Sequence, residues 1–276
     1  MPRLFIPNTT SAETALALLA TLSDKPVQVV DIQQLAALPI TSYFGAYLGA
    51  NKETRSNFIV YLNQSYTERI QEAVFFHEIL HLLLKYEGFP QITVNLNIGR
   101  TLRPNLLDSL VKLRIHFASV IDHHIVFPRM RQLVGFDLSE YFDVQVSQKQ
   151  LRLDRAWEPN TVIRNFYAQQ DILIGLEYFL YPEPQRSRIL MVFKSKNPSA
   201  YASVEDLREK VSQTAVMTPT ELFHVAEQVK SHIIKYGEKK ALGQLNLMWK
   251  ALDIQLTNAS PTRNSIMLSH MSSIED

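Results

Sequence analysis

The chain has 276 residues, 46% of them hydrophobic, enough to bury the core of one large domain or two modest ones. Its 28 Lys and Arg stand against 27 Asp and Glu, a net charge of +1, so no global field draws it to nucleic acid or to an anionic membrane. The absence of cysteine excludes disulfides, thiolate metal sites and cysteine nucleophiles, and leaves His, Asp and Glu as the strong metal ligands.

The N-terminal stretch MPRLFIPNTTSAETALALLATLSDKP lacks a basic segment followed by a clean apolar run and a cleavage site, and it reads as folded protein. Within it, Thr10-Ser11-Ala12-Glu13 has the spacing of a capping box and predicts a helix over 11–23. Val27 to Ile32, β-branched after Pro26, predicts a strand, and Asn57 to Leu62 a second one. Ser65-Tyr66-Thr67-Glu68 reads as another capping box. Apolar residues then recur through Ile70, Ala73, Val74, Leu80 and Leu84 until Gly88 and Pro90, which predicts a helix over 66–86. A loop rich in Asn, Pro and Gly, residues 95–105, separates it from a second long helix over 106–127 that ends or kinks near Pro128.

Beyond Gly135, Asn165 to Leu180 and Ser203 to Gln213 look helical, while Arg186 to Lys194 is ambiguous. Thr218-Pro219-Thr220-Glu221 combines a capping box with proline in the first turn, and opens a long helix that runs past Tyr236 and resumes to Leu252. The final residues, rich in Ser, Asn and Thr, read as a loose tail. No run approaches the roughly 18 consecutive apolar residues that span a bilayer, so the chain is expected to be soluble and cytoplasmic.

His77-Glu78-Ile79-Leu80-His81 is an HExxH motif on the best-defined of these helices. Residues four apart share a helical face, so both imidazoles can address one ion, with Glu78 beside it. The ion expected at such a site is zinc, which lowers the pKa of its water from about 15.7 to about 7 and leaves Glu78 as the general base.

A catalytic zinc site needs a third protein ligand and one open position. The second long helix offers Asp122-His123-His124, with His116 nearly two turns earlier. At about 100° per residue, Leu110, Leu113, Phe117, Val120, Ile121 and His124 form one apolar stripe, with His116, His123 and Phe127 on its flank. A metal beside the helix seam selects His123 and one centred in it selects His124. His123 ranks first, because a cleft needs its ligand at the edge where substrate enters. Asp122 is either an acceptor holding an imidazole tautomer or a solvated helix residue, and helical geometry favours the second. Tyr86, Arg129 and Arg131 are weaker candidates for stabilising an oxyanion, while His224, His232 and His270 have no partner at ligand spacing.

The run from Asn57 through Leu84, a β-rich strand followed by a capped helix bearing FFHEILHLLL, resembles the minimal zincin core of small bacterial metallopeptidases of the ImmA/IrrE type. The match rests on His77, Glu78 and His81 and extends over residues 25–135. Members of that type carry an acidic third ligand on the following helix, where this chain offers His116, Asp122, His123 and His124. The resemblance implies an α+β, mainly helical chain. Residues 1–135 would form a zincin-like core of short sheet, HExxH helix and ligand helix, and a zinc peptidase acting on a protein or peptide is the activity the resemblance implies. It says nothing of the half after Gly135, where the residues themselves read as mainly helical over 136–255, a region for binding substrate or a regulatory protein partner, and as a flexible tail over 256–276.

Two rivals stand beside that reading. One is a non-catalytic module that binds protein or nucleic acid on a vestigial zincin scaffold, and the other is a helical protein with a coincidental motif. Retention of Glu78 argues against the first, since a scaffold without activity has no need of a general base.

Overall fold

The computed structural model of the protein describes residues 9–35, 48–155, 161–211 and 218–256; the expected tail from residue 257 on, with His270, lies outside the described residues. The architecture is α+β and mainly helical. Three strands, β1 (Val27–Asp31), β2 (Gly49–Glu53) and β3 (Phe58–Leu62), form one sheet in the order β1-β3-β2. β1 runs parallel to β3, with Val29 opposite Val60, and β2 runs antiparallel to it, with Asn51 opposite Val60. In β3 the residues Phe58, Val60 and Leu62 are buried while Ile59 and Tyr61 are half-buried, the period-2 pattern of a strand with one face on the core.

Helix α1 (Thr10–Ala20), β2, β3 and helix α4 (Leu107–Leu133) pack around α2 (Glu68–Tyr86), whose residues from Ala73 to Leu80 are all buried. Both helices start one or two residues from where a capping box places them. Thr9 caps α1 by accepting from the Ala12 amide, and its hydroxyl also donates to Glu72 of α2. Thr67 caps α2 by accepting from the Ile70 amide, while the Ser65 hydroxyl donates to Asn63 Oδ1 at 2.6 Å. At the far end Gly88 takes φ 85°, and the Phe89 amide donates to the Leu84 carbonyl at 3.2 Å, a left-handed stop that a side chain would strain.

Helix α4 continues through Pro128 to Leu133, although that proline supplies no N–H to the carbonyl of His124. Its buried side rotates along its length. Leu110, Leu113, Phe117, Val120 and Ile121 face inward in the first half, and His123, Val126, Phe127 and Met130 in the second. The 95–105 segment contains a short helix, α3 (Leu96–Gly99), preceded by strand β4 (Gln91–Val94).

Beyond α4 the described residues are mainly helical: α5 (Ser139–Arg155), which carries no clear signal in the sequence, α6 (Thr161–Tyr178), α7 (Gln185–Lys196), α8 (Pro198–Val211), α9 (Pro219–Lys239) and α10 (Gln244–Lys250). Thr218 does cap α9 in a full capping box with Glu221. Strand β5 (Leu252–Gln255) then returns to pair antiparallel with β4, Ile92 opposite Ile254. The hydrophobic core passes through residue 135 without a gap, since Met130, Val134, Leu138 and Phe142 belong to one buried cluster with Phe76, Ile172 and Trp249. Among the described residues no helix is long and apolar enough to cross a membrane.

Candidate metal centre

The HExxH helix and α4 lie side by side, which brings His77 and His81 of the one against His123 of the other. One ligand atom from each of the three lies within 4.8 Å of the others, so the group could bind a metal ion. His77 Nε2 and His123 Nε2 are 3.0 Å apart. Two nitrogens bound at about 2.0–2.1 Å to one tetrahedral zinc ion lie roughly 3.3 Å apart.

Tautomer chemistry supports the fit. His77 Nδ1 lies 3.2 Å from Glu78 Oε1, and His81 Nδ1 lies 3.0 Å from Asp122 Oδ2. A carboxylate at Nδ1 favours the proton there, which leaves Nε2 of each ring with its lone pair for a metal. Asp122 is therefore an imidazole partner and not a solvated residue, a correction to the helical-wheel reading. A wheel built on the apolar stripe of the first half of α4 places Asp122 away from the core, whereas the buried side has turned by the second half and α2 crosses there.

Burial shapes the ionisation of every group. It drives His77 downward, with Glu78 partly opposing, and holds His123 down at about 3 against the raising influence of Glu177. Both imidazoles are thus neutral at physiological pH, the form that binds metal. Burial pushes the Glu78 carboxyl upward, but His77, His81 and a 2.6 Å hydrogen bond from Asn51 Nδ2 bring it below the usual carboxylate range. In the His81–Asp122 pair, burial disfavours both charges; Asp122 nevertheless raises the pKa of His81, and burial raises that of Asp122.

Behind His123, on the side away from His77, its Nδ1 lies 3.4 Å from Glu177 Oε1 of α6. Phe127 stacks on the His123 ring, with centroids 4.2 Å apart and planes at 16°, and the Ser119 hydroxyl is 3.4 Å from Nε2.

The structure places the remaining sequence candidates elsewhere. His124 and His116 stand outside the three-histidine group; His124 Nε2 is buried without a hydrogen-bond partner, and burial lowers its pKa to about 4. Tyr86 donates to Glu53 at 2.5 Å, Arg129 to Glu87 at 2.6 Å and Arg131 to the Leu180 carbonyl at 3.1 Å, so all three tie structural elements together. His232 meets Ser203 at 2.8 Å between α8 and α9, and His224 is exposed. Asn51, Glu177, Lys149 and Tyr181 escaped the sequence reading. Asn51 sits in a short polar strand, and the others lie on or just beyond α5 and α6 without any motif spacing to His123.

No protein-family model, no curated protein and no solved structure matches this chain.

Proposed function

We propose that the chain is a zinc-dependent metallohydrolase, most simply a zincin-type peptidase acting on a peptide or protein in the cytoplasm. The observation that carries this reading is the convergence of His77, His81 and His123, with the Glu78 carboxylate 3.2 Å from His77 Nδ1. A zinc ion held by the three imidazoles would supply Lewis acidity, making water acidic enough to be deprotonated near neutral pH. Glu78 is ionised at that pH and acts as the base that receives the proton, then returns it to the leaving amine. Asn51 holds Glu78 Oε2 while Oε1 rests against His77 Nδ1, so the carboxylate has to turn from that contact to reach the proton. Asp122 keeps the proton of His81 on Nδ1, leaving its Nε2 lone pair for the ion.

One observation favours a second reading, a non-catalytic protein- or nucleic-acid-binding module on the same scaffold: His77, Glu78 and His123 are only 7–8% exposed, which restricts access for substrate. By side chain alone Asp122 is 19% exposed, against 11% for His81, 10% for His77 and Glu78 and 8% for His123, and so marks the side from which substrate would enter.

Elemental analysis of purified protein incubated with zinc tests the centre. The expected result is near one zinc per chain in the wild type and in His124→Ala, and loss of zinc in His77→Ala, His81→Ala and His123→Ala. Glu78→Gln is expected to keep the metal while peptide hydrolysis falls by about 10²–10⁴-fold. A wild type that takes up no zinc overturns the metal centre, and a zinc-loaded Glu78→Gln that hydrolyses peptide as well as wild type overturns the mechanism.

A further inference from the structure

The Glu177 carboxylate is 2% exposed, is held by two hydrogen bonds and faces the His123 ring. Lys149 Nζ of α5 donates to Oε2 at 3.0 Å, the Tyr181 hydroxyl donates to Oε1 at 3.2 Å, and His123 Nδ1 lies 3.4 Å from the same Oε1. The Lys149 ammonium at 3.0 Å is the cation that pairs with this buried carboxylate. A buried charge of this kind is costly unless each of its oxygens is engaged, and here both are.

We infer that Glu177 is a positioning residue of the metal centre, which fixes His123 as the Nδ1–H tautomer so that its Nε2 presents a lone pair beside His77 Nε2. This rests on the metal-centre reading and extends it, because the third ligand is then oriented by α5 and α6 and not by α2 and α4 alone. The chemistry follows from the ring. A neutral imidazole carries one proton, and the carboxylate claims it for Nδ1. The fixed negative charge also makes Nε2 a better donor to a cation. Phe127, stacked on His123 and edge-on to Tyr181 at 5.7 Å, holds the ring plane in which this alignment works. The helices after residue 135 thereby become part of the site.

The test is zinc affinity, measured by competition with a chelating dye for the wild type, Glu177→Gln and the double variant Lys149→Met/Glu177→Gln. The double variant removes both buried charges together, so that neither is left unpaired. Both variants are expected to bind zinc roughly 10- to 100-fold more weakly than wild type. A long-range ¹H–¹⁵N histidine spectrum of the zinc-loaded wild type is expected to show His123 protonated at Nδ1 and metal-bound through Nε2, a readout that needs no substitution. A folded variant that binds zinc as tightly as wild type, or a His123 bound through Nδ1, overturns the role of Glu177. A wild type that takes up no zinc overturns the centre on which that role rests, and is told apart because the variants then do not differ from it.

Discussion

Glu53, on the edge strand β2, gathers Lys25 at 2.6 Å, Lys85 at 2.8 Å and Tyr86 at 2.5 Å around one carboxylate. Burial opposes its charge, but these donors prevail and bring its pKa down to about 2 from the ordinary 4.5. A carboxyl depressed in the folded state contributes stability that is fully present above the unfolded value, near 4.5, and is lost as pH falls toward 2. Its side chain is 22% exposed, so solvent screening limits the contribution to the order of 1 kcal/mol. Glu53→Gln is therefore expected to lower the urea midpoint at pH 7 and to flatten its decline between pH 4.5 and 2; an unchanged slope would discard the assignment. The same residue shows what occupies Tyr86 in place of an oxyanion. Its place at the end of α2 is legible in sequence, but its partner lies 33 positions earlier on a strand with no apolar alternation. The HExxH pair was legible because four-residue spacing is local geometry, whereas the Nδ1 partners of His81 and His123 depend on how whole helices cross.

At the scale of elements, β2 can approach α2 only because position 49 is glycine. A Cβ there would lie 2.3 Å from Val74 Cγ1 and 2.9 Å from the Tyr61 carbonyl. The side chain could shift, but the carbonyl belongs to the sheet. Gly49→Ala is expected to push β2 off the helix, cost about 1–3 kcal/mol and weaken the Asn51–Glu78 contact two residues along. Urea denaturation would measure the first effect, and the peptidase assay the second if the proposed activity holds. A variant as stable as wild type would show that the sheet yields at no cost. Strands β1 and β3 and helices α2, α4 and α9 could be read from β-branched runs, apolar periodicity and caps. β2 (Gly-Ala-Asn-Lys-Glu) and the four-residue β4 and β5 could not, because their pairing partners and not their composition make them strands. The wheel for α4 failed at Asp122 for a related reason: a 27-residue helix that meets different neighbours along its length has no single buried stripe.

Across the whole molecule, β4 and β5 tie the region after the HExxH helix to the end of the described chain. Asn95 and Asp253, 158 positions apart, are joined by a 3.1 Å hydrogen bond, and Leu252 and Ile254 enter the core beside them. Trp249 is fully buried and meets Phe117 of α4 edge-on at 5.7 Å. Ending the chain at residue 250 is expected to lower the thermal midpoint by several degrees and shift Trp249 emission to the red, as the indole loses its cover. An unchanged emission and midpoint would mean that β5 is dispensable. The mainly helical α+β class was legible from composition and periodicity. The way the later helices reach back onto α4 was not, because no local signal records contacts between residues so far apart.

Glu177 on α6 also fixes an order of events during synthesis. A ribosome delivers this chain N-terminus first, so a nascent polypeptide that has just completed α4 already carries His77, His81 and His123. It still lacks Lys149, Glu177 and Tyr181, and the ring of His123 has neither its carboxylate nor the aromatic wall of Phe142 and Tyr181 around Phe127. The three histidines are thus all in place by residue 123, whereas the groups packed behind His123 are complete only at residue 181.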